Sequence, residues 1–296
     1  MHIVVAGSSG LIGTALVVEL RGAGHEVTRL VRRAPAGPDE RRWDPPAARI
    51  ADDALAGADA VINLCGAGLA DRRWTAARKQ ALRDSRNAPT EVLAAAVADR
   101  GIPVLVNASA VGYYGDTGDQ VVTEDAPNGA GFLAEICRDW EQATGAAQRA
   151  GARVVRLRSG IVLAKHGGLL GRLRPLFSLL LGGKLGDGKQ YMPWIALPDE
   201  VAAIRFAVEQ DAVSGPLNLT APEPVTNAEF TKEFGAALGR PAVWTAPGFG
   251  LRLLMGELAD EGVLAGQRAV PAALQAAGFE FRFPGLRTTL AVATQR

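Results

Sequence analysis

Histidine and cysteine are scarce in this chain of 296 residues: three of the first (His2, His25, His166) and two of the second (Cys65, Cys137). Residues so few and so far apart exclude a disulfide framework and a zinc-ligand spacing, and they leave no basis for a histidine triad. No metal is expected. An excess of one charge is also lacking. With 32 Lys and Arg against 31 Asp and Glu, and no basic or acidic block, nothing points to nucleic acid. Long apolar runs are absent too. LFSLLLGG (176–183) is too short to span a bilayer. The N-terminal MHIVVAG enters a strand directly, without the features of a signal peptide. These absences lead us to expect a cytoplasmic protein with neither a membrane nor a nucleic-acid partner.

What is present is a rhythm. Over the first 160 residues short β-branched runs alternate with helical stretches: IVVA (3–6), LIGTALVVELRGAG (11–24), EVTRLV (26–31), DAVINL (59–64), a long helical run over 74–101, PVLVNAS (103–109), a helix near 131–141 and ARVVRLRSG (152–160). Apolar strands joined by crossover helices predict an α/β fold, a doubly wound parallel sheet with its ligand at the carboxyl ends of the strands. After residue 160 the pattern is irregular. Helices are expected over 167–183, 198–210 and 227–239 (Asn227 as N-cap), a strand over 215–220, and a small helical segment over 247–296. We divide the chain into a nucleotide-binding part, 1–160, to which 191–220 returns, and a substrate-side part, 161–296.

AGSSGLIG (6–13) sets Gly7, Gly10 and Gly13 between the first strand and the first helix. One glycine permits a tight turn, one lets backbone approach a pyrophosphate, and one lets helix and strand pack closely. The helix N-terminus then offers N–H groups to the phosphates. At the end of the second strand an NAD-selective site carries Asp or Glu; here Val31 is followed by Arg32 and Arg33. Guanidinium groups suit a 2′-phosphate, so NADP(H) is the expected cofactor, with Arg32 the better candidate.

These motifs, with NLCGAGLADRRW (63–74), NASAVGYYG (107–115), GFLAEICRDWE (131–141), GKQYMPWI (188–195) and the tail over 257–286, resemble the epimerase-like family of atypical short-chain dehydrogenases/reductases. The resemblance covers the whole chain and implies an extended-type Rossmann fold binding NADP, with a C-terminal domain of unknown function. It carries the phosphate turn onto Gly7, Ser9, Gly10, Leu11, Ile12 and Gly13. It carries the strand end beside the ribose onto Asn63, Leu64, Cys65 and Gly66. Arg86 falls where related enzymes place an Asn near the cofactor.

Short-chain reductases carry a catalytic Tyr with a Lys four residues later on one helix face, and a Ser on the preceding strand. Ser109 fills the last position. The pair is missing: registering the helix on Glu141 puts Leu133 and Cys137 in its place, and a shift of one puts Phe132 and Ile136 there. Ser109 and Tyr113 are therefore the catalytic candidates, and Tyr114, Tyr191 and Trp194 the candidate substrate contacts. Arg72, Lys79 and Arg86, spaced by sevens, would share a helix face. The expected function is an NADP-dependent oxidoreductase or epimerase-like enzyme acting on a small molecule, with a second copy of the chain as a further candidate partner. The alternative is a non-catalytic NADP(H)-binding sensor or interaction module.

Overall fold

The computed structural model describes residues 1–295. The first half contains β1 (His2–Ala6), α1 (Leu11–Gly22), β2 (Glu26–Val31), β3 (Glu40–Asp44), β4 (Arg49–Ile50) and β5 (Ala60–Asn63). There follow α2 (Ala76–Arg100), β6 (Val104–Ala110), β7 (Val121–Val122), α3 (Phe132–Gln142), α4 (Gly145–Arg149) and β8 (Arg153–Ser159). Next come β9 (Ile161–Leu163), α5 (Gly168–Ser178), β10 (Gly183–Leu185), β11 (Tyr191–Met192), β12 (Trp194–Ala196), α6 (Leu197–Glu209) and β13 (Gly215–Leu219). The remainder is β14 (Val225–Thr226), α7 (Asn227–Ala237), β15 (Trp244–Ala246), α8 (Gly248–Met255), α9 (Glu257–Gly262), β16 (Arg268–Ala269), α10 (Ala272–Ala276) and α11 (Leu286–Thr294).

Eight strands form one sheet in the order β13-β8-β6-β5-β1-β2-β3-β4, parallel except for β4. The order reverses at β1, which opens a crevice at the carboxyl ends of β1 and β5. β1 shows why both faces are covered. Ile3 and Val5 pack with Leu16 and Leu20 of α1 and Ile204 of α6, while Val4 and Ala6 pack with Leu93 and Val97 of α2. A third cluster, built on Phe177, Trp194, Phe230, Phe234 and Leu290, holds the second half.

Several local expectations are corrected. The helix expected over 167–183 stops at Ser178, where the chain turns through Leu180 at a left-handed φ of 62° and re-enters as β10. The N-cap of α7 is Thr226, which forms a capping box with Glu229, so Asn227 is already helical. α2 begins at Ala76, which leaves Arg72 in the preceding loop and off the expected face. ERRWD (40–44) was not expected to be a strand, because only Glu40 and Trp43 of its five residues turn inward. The C-terminal segment also carries a strand, β16, paired with β7.

Candidate functional site

The glycine turn lies at the crevice. Gly7 has φ +81°, and a Cβ on it would stand 2.7 Å from the Leu64 carbonyl carbon. A Cβ on Gly13 would overlap the Gly7 carbonyl oxygen. These two glycines are required by chain packing alone. Gly10 differs: it is exposed, and a Cβ there meets only the Gly7 oxygen at 3.5 Å. Its other side is open. α1 has no side-chain N-cap and no acid in its first turn, so its leading N–H groups remain free for an anion. Ser9 and Leu11 are exposed beside it and Ile12 is half-buried.

At the neighbouring strand ends, Arg32 is exposed and has no carboxylate partner among the described residues. Its charge reaches Cys65, though burial dominates there and pushes the thiol up to about 12. Arg33 is committed elsewhere. Its Nη1 and Nη2 donate to the Glu40 carboxylate at 2.7 and 2.6 Å, and this pairing holds Glu40 below the ordinary range. Asn63, expected beside the ribose, is fully buried. Its amide donates to Thr90 Oγ1 (2.9 Å) and Asn107 Oδ1 (2.7 Å), and its oxygen accepts from Cys65 N–H (3.1 Å). It therefore shapes the turn, and the backbone of 64–66 forms the edge. Arg86 is also inside: it donates to the Leu82 and Ala67 carbonyls at 3.0 Å each and lies over Trp140. It braces the loop behind Gly66 instead of opening to a phosphate.

The catalytic candidates are drawn into a buried polar network. Ser109 Oγ donates to Glu141 Oε1 at 2.8 Å. The Glu141 carboxylate also accepts from Arg158 Nε (2.8 Å) and Nη2 (3.0 Å). Arg158 Nη1 donates to the Tyr114 hydroxyl (2.9 Å), which donates to Asn218 Oδ1 (2.6 Å). Tyr114, expected to meet substrate, is instead 4% exposed and ties β6 to β13. The reason is the Arg158–Glu141 ion pair, which takes the Ser109 and Tyr114 hydroxyls to satisfy its remaining donors and acceptors. Tyr113 lies under the Arg158 guanidinium, 3.6 Å from its ring centroid, and lines a groove of about 250 Å³ with Arg138, Gln142 and Arg156.

On α3, Leu133 and Cys137 occupy the space of the missing pair. A Cβ on Gly112 would lie 3.5 Å from Leu133 Cβ and 3.8 Å from Cys137 Sγ, and one on Gly262 would lie 3.7 Å from Leu133 Cδ1. Burial pushes the Cys137 thiol up to about 12, so it is not a nucleophile. Trp74, Phe132, Ile136 and Leu258 complete an apolar cluster. Above it Glu261, from α9, accepts hydrogen bonds from the N–H groups of Phe132 and Leu133, both at 2.8 Å. The C-terminal segment thus caps the helix on which a Tyr–Lys pair would stand. Sequence reading missed Glu261, because a cap supplied from 129 residues away leaves no local signal.

In the second half Trp194 is 1% exposed and belongs to the core, not to a ligand surface. Tyr191 packs beneath Arg268, with the guanidinium 4.9 Å from its ring centroid. Gln190 spends its amide on the Leu185 and Val263 carbonyls. No group of three or more metal-ligating side chains occurs among the described residues, and no helix there is long and apolar enough to cross a membrane.

A parallel sheet, a glycine turn at its crossover and free helix N–H groups describe a dinucleotide crevice, and comparison with known proteins agrees. Residues 3–219 match the model of the NAD dependent epimerase/dehydratase family, and residues 246–293 that of a domain of unknown function, DUF1731. The chain belongs to this epimerase family. It is 56% identical over 294 residues to epimerase family protein Mb2239 of Mycobacterium bovis, covering 99% of this chain and 98% of that one. The crystal structure of human epimerase family protein SDR39U1 with NADPH superposes with a TM-score of 0.92 at 34% identity, covering 99% of both chains. A nucleoside-diphosphate sugar epimerase from Corynebacterium glutamicum gives 0.83 at 40% identity, covering 99% of this chain and 58% of the other. The family fixes the Rossmann architecture and NAD(P) dependence.

Proposed function

We propose that this family member binds NADP(H) in preference to NAD(H) and acts as an oxidoreductase on a small-molecule substrate. The observation that carries the cofactor choice is Arg32. It is an exposed guanidinium without a carboxylate partner among the described residues, just past the carboxyl end of β2, within electrostatic reach of the β5 turn. Of the acids nearest Arg33, Glu40 is engaged by Arg33 and by the Ala36 N–H (2.7 Å) and Asp39 by Arg29 (2.8 Å). The NADPH in the human relative supports the same reading.

In this reading the turn at Gly7–Gly13 and the first N–H groups of α1 hold the pyrophosphate, the backbone of Leu64–Gly66 lines the adenosine ribose, and Arg32 pairs with the 2′-phosphate. When bound, the nicotinamide supplies or accepts hydride. Arg86 keeps the Gly66–Ala67 turn in place from behind. The chain offers no Tyr–Lys pair and Ser109 is engaged by Glu141, which leaves the Tyr113 hydroxyl, lining a groove beside them, or solvent as the source of a proton.

That same feature favours a second reading. An apolar cluster around Leu133 and Cys137, roofed by α9, suits a protein that binds NADP(H) without turnover and reports its redox state to a partner. A screen for nicotinamide oxidation or reduction over carbonyl and alcohol substrates separates the two.

Fluorescence titration with NADPH and NADH tests the cofactor assignment. Arg32→Ala is expected to weaken NADPH about 10–100-fold, the value of a charge-assisted contact, and to leave NADH within about twofold. Equal weakening of both would remove Arg32 from the 2′-phosphate site.

A further inference from the structure

β5 and α2 are joined by residues 64–75, which form neither helix nor strand. Both ends of this connection are fixed. At its start the Ala67 N–H donates to Ser85 Oγ (3.1 Å), and the Ala67 carbonyl accepts from Arg86 Nη2 (3.0 Å). At its end the buried Trp74 donates its indole N–H to the Leu69 carbonyl at 2.9 Å. The tip between them is held from a distant part of the chain. Arg172, one turn into α5, donates through Nη2 to Asp71 Oδ1 (2.8 Å) and through Nη1 to the Ala70 carbonyl (3.3 Å). An ion pair this exposed, 59% and 51% on its two side chains, adds little to the stability of the fold.

Its position relative to the glycine turn gives it another use. The first residues of α5 rest on that turn: a Cβ on Gly167 or Gly168 would stand 3.6 or 3.2 Å from the Leu11 side chain. On the other side Gly7 backs onto the Leu64 carbonyl, where the 64–75 connection begins. Contacts therefore run in a closed ring, from Leu11 through α5 to Arg172, across to Asp71, and back along the connection to Leu64 and Gly7. The stretch Gly7–Leu11, with the open side of Gly10 and the leading N–H groups of α1, is one arc of this ring. The Arg172–Asp71 pair is the arc opposite.

Gly68 makes room for the pair. A Cβ there would lie 2.2 Å from Asp71 Oδ2, so any side chain at 68 pushes the carboxylate off its place.

We propose that Arg172 and Asp71 form a clasp across the dinucleotide crevice, which closes over the bound cofactor and sets how fast it leaves. This rests on the NADP(H) reading above. A single exposed pair opens often enough to admit the cofactor. Once closed it ties the two walls of the crevice together, and release waits for it to open.

Stopped-flow displacement of NADPH, and separately of NADH, by excess NADP⁺ reads release directly through nicotinamide fluorescence. Asp71→Asn is expected to speed release of both cofactors about twofold to fivefold, the range of an exposed pair, with association nearly unchanged. Arg172→Gln should do the same, and the double variant should release no faster than either single one, because each substitution removes the same bond. Gly68→Ala keeps both charges and should reproduce the effect by displacing the carboxylate. At about 1 M NaCl the wild type should approach the variants. Far-UV circular dichroism and the thermal midpoint should stay at wild-type values, since both side chains are exposed. An equal effect on NADPH and NADH separates the clasp from the 2′-phosphate contact of Arg32, whose loss weakens NADPH alone. Unchanged release from Asp71→Asn overturns the clasp and leaves the NADP(H) reading standing, whereas a wild type that binds neither cofactor overturns both. Faster release from Arg172→Gln without any from Asp71→Asn would make Arg172 a direct ligand of the phosphates and overturn the clasp as well.

Discussion

Glu200 is the clearest case of a residue whose surroundings set its chemistry. It is fully buried on α6, accepts a hydrogen bond from Ser159 Oγ (2.7 Å) on one oxygen and has no partner on the other among the described residues. Burial pushes its carboxyl up to about 8, against the opposing effect of the Ser159 bond. An unfolded Glu titrates near 4.3. The folded chain therefore holds a proton that the unfolded chain has released between those values. Its contribution to stability is complete below the unfolded value, falls as pH rises toward 8 and is flat above. Glu200→Gln should abolish that slope, gaining on the order of a few kcal/mol at pH 8 and nothing near pH 4. Urea denaturation at both pH values decides it, and parallel profiles for the two proteins would refute the assignment. Arg158 and Glu141 present the opposite case. Each is under a tenth exposed and each completes the other. Removing one charge by Arg158→Ala should cost about 3–5 kcal/mol. Ser109→Ala, which takes only one hydrogen bond from Glu141, should cost about 1 kcal/mol and leave NADPH affinity unchanged. A loss of affinity there would show that Ser109, expected to be catalytic, also supports the cofactor site.

Among the elements, α3 shows how a distant segment completes a helix. Its N-cap position is Gly131 at φ +101°, which has no side chain to cap with, and Glu261 of α9 performs that role. The carboxylate also faces the positive end of the helix dipole. Glu261→Ala should destabilise by about 1–2 kcal/mol. It should also speed amide exchange at Phe132 and Leu133 and expose 256–264 to proteolysis before the sheet unfolds. Unchanged exchange at those two amides would show that α9 docks through Leu258 and its neighbours alone. The same packing explains why the Tyr and Lys positions carry Leu133 and Cys137: the space a phenol and an ammonium would use is filled from the C-terminal side. The longer elements of the first half, other than β3, were legible because they carry their own periodicity: β1 is apolar on both faces, and α2 ends at Gly101 at φ 64°. β3 was not, since its charged residues pair along the edge of the sheet and give no alternation. α5 was overextended, because LFSLLLGG reads as helix until Trp244 holds the Leu180 carbonyl in a turn.

For the whole molecule, the eight-stranded sheet places the glycine turn, the β5 turn and Arg32 at one edge, which is the candidate site. That much follows from residue order. A parallel sheet built of consecutive βα units has a single crossover, and the turn after β1 must lie at it. Hence the amino-acid sequence by itself determined the Rossmann core, the glycine turn, the basic residue that replaces an acid after β2, and the lack of a Tyr–Lys pair. All are local patterns of a few residues with a fixed backbone geometry. Only the tertiary structure decided which polar side chains remain available. Ser109, Tyr114, Asn63, Arg86 and Trp194 were plausible ligands as residues, yet each is buried and all but Trp194 are hydrogen-bonded, because a buried donor or acceptor must find its partner within the protein. Those partners, Glu141, Asn218, Asn107 and the Ala67 carbonyl, come from other elements of the chain. The exposed apolar face of α8 has the same origin. Any amphipathic helix reads alike in sequence, and only the packed molecule shows that α8 sets Met255 against the cluster around Leu258 and leaves Phe249, Leu253 and Leu254 in water.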